Sequence, residues 1–129
     1  MPTTPSIMGL HLRYRLWIAE MNLDINVLRI FNDYLEALSL KKNEPEIKTG
    51  IDYFEQKFSL LRKEIDDLRN EMHLLKMKLA AYSREKKPLD YKIYQADNHI
   101  ASKKRYLAFR EIFEKVKKEF GIFEGKWLN

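Results

Sequence analysis

The sequence predicts an all-α protein: an elongated antiparallel three-helix bundle with coiled-coil-like heptad packing and a short C-terminal tail. Three observations support this prediction. Hydrophobic residues are 45% and charged residues 33% of the 129 residues, which is typical of folded amphipathic helices rather than of disorder. Four glycines and four prolines are too few for the turns of a β-sandwich or barrel. Apolar residues recur at steps of three and four over three long segments, which is the period of an α-helix.

The chain length suits a single helical-bundle domain over residues 1–129, because domains commonly hold roughly 100–150 residues. We expect helices at about 5–41, 44–86 and 88–120 and a tail at 121–129. The two connections are short, and short connections usually join antiparallel neighbours.

The first predicted helix begins where Thr4 can act as the N-cap and Pro5 can take the first helical position. Its apolar row is broken by Asp24, at a position where another apolar residue is expected. Neighbouring apolar residues widen the row, so we expect this helix to contact more than one other helix. The row consists of Ile7, Leu10, Tyr14, Trp17, Met21, Leu28, Phe31, Leu35 and Leu38. The residues that widen it are Ile18, Ile25, Val27, Ile30 and Tyr34.

The second predicted helix carries the most regular pattern in the sequence. Asn43 and Glu46 have the spacing of a capping box, and Pro45 falls in the first turn. Apolar steps of four and three then continue for five heptads, which predicts one unbroken helix and left-handed supercoiling at a crossing angle near ~20°. At 1.5 Å per residue this helix would be ~60 Å long. The seam consists of Ile47, Ile51, Phe54, Phe58, Leu61, Ile65, Leu68, Met72, Leu75, Leu79 and Tyr82.

The third predicted helix is less regular. Pro88 suits its first turn, and its apolar row changes phase across residues 102–105, which predicts a kink or a change of packing partner. Gly121 is a natural left-handed C-cap that would end the helix. Beyond it, Trp127 and Leu128 either fold back onto the end of the bundle or form an exposed anchor for a partner.

No pattern in the sequence predicts catalysis. The chain has no cysteine, which excludes a thiolate nucleophile and thiolate zinc sites. The four glycines are scattered, so there is no phosphate-binding loop. Neither a nucleophile elbow nor a Glu-x-x-His or His-Glu-x-x-His motif occurs. We therefore predict a protein that is not an enzyme and has no cofactor.

A histidine metal site is the one catalytic alternative that the sequence leaves open. Folding the helices back about their connections places His11, His73 and His99 at a similar level, and three imidazoles can hold zinc with an open fourth position. However, His73 directly follows the seam residue Met72 and therefore leans towards solvent. Three surface or rim histidines are the favoured interpretation.

Asp24 is the one charged residue in the first apolar row. The same folding places it near Arg62 of the second helix and near Lys103 and Arg110 of the third. Two interpretations remain open. Either Asp24 lies at the solvent-exposed edge of the bundle, or these four residues form a polar core layer that fixes the register of the helices.

The net charge is +5, from 24 Lys and Arg against 19 Asp and Glu. Lys103, Lys104 and Arg105 form a basic run that could follow a phosphate backbone. Glutamates later in the same helix dilute this charge. A solvated helix face is therefore favoured over nucleic-acid binding.

The sequence thus predicts a non-enzymatic, cytoplasmic protein that acts by binding a protein partner or a second copy of itself, for example as a homodimer. The basis is a long, regular apolar seam without convergent catalytic groups. The alternatives are a nucleic-acid-associated protein that uses the third helix and a histidine metal site with hydrolytic chemistry. No apolar run approaches the ~20 residues of a membrane span, and no signal peptide is evident.

Overall fold

A computed structural model describes residues 5–128 of the chain. Within this range there are four α-helices and no strand, and helices hold 89% of the residues. The all-α prediction is confirmed. The helices are α1 at Ile7–Lys41, α2 at Pro45–Arg84, α3 at Tyr91–Ala96 and α4 at His99–Trp127.

The start of α1 is fixed by Ser6, whose side chain accepts a hydrogen bond from the backbone N–H of Gly9 at 2.9 Å. The cap predicted at Thr4 lies outside the described residues, and the prediction that Pro5 takes the first helical position is wrong, because Pro5 precedes the N-cap. Because a side-chain oxygen at the N-cap satisfies one of the unpaired N–H groups of the first turn, Ser6 defines where the helix begins.

The start of α2 differs from the prediction. Its N-cap is Glu44, which makes no side-chain capping hydrogen bond, and Pro45 takes the first helical position as expected. The predicted capping box of Asn43 and Glu46 is therefore wrong, because Asn43 lies one residue before the N-cap.

The prediction of one unbroken second helix is confirmed, since α2 runs through 40 residues. All of its predicted seam residues from Ile47 to Leu79 are buried, and Tyr82 is half-buried. The alternating spacing therefore identifies the face of α2 that packs against the rest of the protein.

The third predicted helix is divided in the structure. Residues 88–120 do not form one helix, because Asn98 adopts a left-handed conformation with φ 63° between α3 and α4. Asn tolerates this region better than most residues, since its short polar side chain can bond locally. The break therefore lies at 97–98, before the phase change at 102–105.

The predicted tail at 121–129 is also wrong, because α4 continues through Gly121 to Trp127. Among the described residues no glycine has a positive φ, so Gly121 does not form a left-handed cap. Phe120, Phe123 and Trp127 recur at three-four spacing and pack against the hydrophobic core. Burial of these rings favours continuing the helix over ending it.

Ring contacts show how the long helices run relative to one another. Phe31 of α1 lies 5.6 Å from Phe58 of α2 and 4.3 Å from Phe120 of α4, measured between ring centroids. Near the other end of α1, Tyr14 lies beside His99, the first residue of α4. Helix α4 is therefore parallel to α1, and aromatic side chains fill the space between them.

Candidate functional site

Asp24 is buried, with 4% of its surface exposed, and it pairs with Arg110 of α4. The two terminal nitrogens of Arg110 donate hydrogen bonds of 3.0 and 2.6 Å to the two carboxylate oxygens. Such a bidentate pair is among the strongest polar contacts in proteins. It joins α1 to α4 near the middle of both helices.

Glu20 and Tyr106 extend this pair into a network. Tyr106 donates to Glu20 at 2.7 Å and accepts from Arg110 at 3.0 Å, and the Nε of Arg110 lies 3.0 Å from Glu20. Burial raises the pKa of Tyr106, so its hydroxyl keeps its proton. Burial alone would lower the pKa of Arg110, but its hydrogen bonds to Asp24 and Tyr106 raise that pKa above the usual value.

The carboxyl group of Asp24 has a raised pKa, because the cost of burying the charge exceeds the opposing effect of Arg110. A buried charge of this kind is stable only while its partner stays in place. The network therefore makes the contact between α1 and α4 sensitive to Arg110.

Two of the four residues predicted for the polar layer lie elsewhere. Arg62 is half-exposed and pairs with Asp66 of its own helix at 3.2 Å. Lys103 is exposed and lies beside a pocket near the start of α4. Counting residues back from each connection ignores the residues that the chain needs to cross from one helix axis to the next. The residues predicted to lie side by side are therefore shifted by several positions.

The three histidines do not come together. His99 is buried, His73 is exposed and His11 is half-buried. Within residues 5–128 no group of three or more His, Cys, Asp or Glu side chains is placed to hold a metal ion.

His99 instead belongs to an aromatic cluster at the start of α4. The Tyr14 hydroxyl lies 2.5 Å from His99 Nδ1, and the imidazole stacks on Tyr94 at 5.5 Å between ring centroids. Its Nε2 lies 3.9 Å from Asp97. Burial lowers the pKa of His99, which favours the neutral ring, whose Nδ1 can accept a hydrogen bond from the Tyr14 hydroxyl.

The basic run is partly neutralised within the chain. Arg105 donates to Glu64 at 2.9 Å and to Glu71 at 2.8 Å, which ties α4 to α2. Lys103 and Lys104 are exposed. The run therefore offers two free lysines rather than a continuous basic surface.

Trp127 and Leu128 are half-buried and pack against the core. The ammonium group of Lys42 donates to the backbone carbonyl of Trp127 at 3.3 Å and lies 6.0 Å from its ring centroid. This contact joins the end of α4 to the end of α1. Both arrangements predicted from the sequence assume a tail, whereas α4 continues through Trp127 and the side chains of Trp127 and Leu128 pack against the core from the end of that helix.

The outer face of α1 is the feature that sequence analysis missed. Seven large apolar side chains on this face are between 47% and 83% exposed. Most of them lie on the side of α1 away from the core residues, whereas Tyr34 lies one turn before the buried Leu38. An exposed apolar patch of this extent is typical of an interaction surface. We call this set the outer stripe and define it as Met8, Leu12, Leu16, Leu23, Ile30, Tyr34 and Leu40.

A signal for the outer stripe was present in the sequence. Leu16, Leu23 and Ile30 recur every seven residues, and Leu12 precedes them by one turn. Sequence analysis assigned Ile30 and Tyr34 to a widened core face, because composition alone does not separate two apolar faces of one helix.

A groove of about 520 Å³ between α2 and α4 is the other apolar surface of note. Leu60 and Ile112 are exposed along it, and Phe109 forms part of its wall. Charged side chains, including Arg105 and Asp67, also line this groove. This groove is therefore a mixed apolar and charged surface.

Comparison with known proteins gives no relative: no protein-family model, no curated protein and no solved structure matches the chain. Among the described helices, none combines the length and the hydrophobicity needed to cross a membrane.

Proposed function

We propose that this chain is a non-enzymatic, cytoplasmic helical-bundle protein whose role is to bind a protein, either a different partner or a second copy of itself. The proposal includes an elongated three-helix arrangement of α1, α2 and α4 with heptad packing. The observation that carries it is the outer stripe of α1, which stays exposed although the same helix buries its opposite face.

Burial of apolar surface supports this interpretation. Transfer of apolar area from water contributes roughly 25 cal/mol per Å², so seven exposed large side chains on one helix face favour covering that face. Helix-in-groove and helix–helix contacts use anchors at this spacing. The outer stripe consists of aliphatic side chains and one tyrosine rather than paired acid and base groups, so we propose binding rather than catalysis.

Site-specific photo-crosslinking tests the proposal. A benzophenone amino acid replaces Leu23 in the outer stripe, and cells that express the protein are irradiated. Crosslinked peptides are then identified by mass spectrometry. We expect one defined protein sequence to be crosslinked at this position.

Leu74 of α2 is the matched control, since it is 62% exposed, as Leu23 is 61% exposed, and lies outside the outer stripe. Crosslinks at Leu23 that are absent at Leu74 support the proposal. Equal crosslinking at both positions, or none at Leu23, contradicts it.

A further inference from the structure

The two faces of α1 repeat with the same period. On the inner face, Met21 and Leu28 are seven residues apart and buried. On the outer face, Leu16, Leu23 and Ile30 are also seven residues apart and exposed. A seven-residue apolar repeat matches the contact between two packed helices. The outer stripe therefore has the spacing needed to face another long helix.

We propose that the outer stripe binds the outer stripe of a second copy of this chain, with the two α1 helices antiparallel about a twofold axis. This inference rests on the proposed function and names the partner of the same surface. In this alignment Leu23 of one copy lies across from Asn26 of the other. A twofold contact of one surface with itself is closed, so it gives a dimer and not a filament.

Charge complementarity supports this partner and this direction. At the edge of the antiparallel contact, Arg15 lies within two residues of the level of Glu36 of the second copy, and symmetry forms this pair twice. Neither side chain makes an ion pair within the described residues of its own chain, so both charges are available.

A parallel alignment fits less well. It would place Asp33 of one copy directly against Asp33 of the other, beside the stripe residues Ile30 and Tyr34, and like charges in contact are destabilising. It would also pair Arg15 with Glu20, which is already held by Arg110 at 3.0 Å. The antiparallel alignment avoids both contacts.

The small size of the stripe is typical of weak, reversible interfaces. At 1.5 Å per residue, α1 is roughly 50 Å long, and a helix side is about 10 Å wide. Such a strip buries on the order of 500 Å² per copy, near the lower limit for specific interfaces. We therefore expect dissociation in the micromolar range.

Analytical ultracentrifugation of the purified chain tests this inference over roughly 1–500 μM, a range that spans micromolar affinity. The mass should rise from 15.6 kDa towards twice that value with concentration. Leu23→Glu should weaken association at least about tenfold, since it buries a charge in the contact. Leu74→Glu, the matched exposed control, should leave the dissociation constant unchanged. Circular dichroism checks that each variant remains helical.

Exchanging the charges of Arg15 and Glu36 tests whether the two α1 helices are antiparallel. Arg15→Glu and Glu36→Arg should each weaken the dimer, and the double variant should restore it, because the antiparallel pair is re-formed with reversed signs. In a parallel dimer the double variant would instead bring the introduced glutamate near Glu20 and the introduced arginine near Lys41, with no recovery.

Three outcomes overturn the inference: a monomer at every concentration, a dimer that Leu23→Glu leaves intact, and single charge variants that the double variant does not rescue. Photo-crosslinking separates this failure from failure of the proposed function. A monomeric chain whose residue 23 crosslinks to a different protein loses the homodimer but keeps the protein-binding role.

Discussion

The inner and outer faces of α1 share one seven-residue spacing but differ in their surroundings. Met21, Leu28 and Leu35 on the inner face are at most 4% exposed. Leu16 and Leu23 on the outer face are 58% and 61% exposed. The comparison teaches that a heptad spacing identifies a helix face able to pack. Whether the chain itself supplies the partner for that face depends on the rest of the fold.

The largest effect should come from the buried ion pair of the inner face. Arg110→Met leaves the Asp24 carboxylate buried without its partner, which should lower the free energy of unfolding by about 3–5 kcal/mol at pH 7. Urea denaturation measures this change.

The double variant Asp24→Leu with Arg110→Met is the informative comparison. It removes both charges and should recover most of the lost stability, because apolar replacement of a buried pair is often neutral. Arg62→Met, which breaks the exposed pair with Asp66, should cost only about 0.2–1 kcal/mol. Equal losses of unfolding free energy for Arg110→Met and Arg62→Met would contradict the predicted difference between the buried and the exposed ion pair.

The second prediction compares truncations on the two faces. Leu35→Ala removes a side chain that is 1% exposed and should cost about 2–5 kcal/mol. Leu23→Ala should change the free energy of unfolding by about 0.5 kcal/mol or less in dilute solution, where no second copy covers it. Thermal and urea denaturation of both variants measure the difference, and a large loss for Leu23→Ala would show that the outer face is covered within the chain.

The third prediction concerns His99, which contacts Tyr14 on the inner face. Burial lowers the pKa of His99 in the folded protein, so below its ordinary value of about 6.5 the unfolded chain binds the proton more strongly. The free energy of unfolding should therefore keep its full value above about pH 6.5 and fall as the pH decreases. His99 contributes at most ~1.4 kcal/mol per pH unit to this fall.

Urea denaturation between about pH 5 and 7.5 measures this dependence. His99→Phe should flatten it, and His73→Gln should not, since His73 is exposed. If both variants keep the pH dependence of the unsubstituted protein, that dependence comes from groups other than His99.

The smallest expected effects on stability come from replacing two glycines by alanine. Gly121 has a negative φ and nothing within 4 Å of an added Cβ, so Gly121→Ala should stabilise the protein by about 0.4–1 kcal/mol. Gly50→Ala should destabilise it, because the added Cβ would meet the Phe123 ring. The melting temperatures of the two variants should therefore move in opposite directions.

Sequence reasoning located α2 well because every turn of that helix repeats the same pattern from Ile47 to Leu79. It placed the break of the last segment incorrectly, since the left-handed conformation of Asn98 is one that Asn tolerates but does not require. It named Arg110 among four candidates for the polar layer, but levels counted along straight helices could not separate Arg110 from Arg62 or Lys103.

The sequence by itself determined the helical class and the faces of each helix that are apolar, because these depend on local spacing and on the period of the α-helix. Only the tertiary structure decided that the outer stripe of α1 stays exposed, which cation meets Asp24, and that α4 continues past Gly121. These features depend on contacts between residues far apart in the chain, such as Asp24 with Arg110 and Lys42 with Trp127. Local propensity carries no information about such distances.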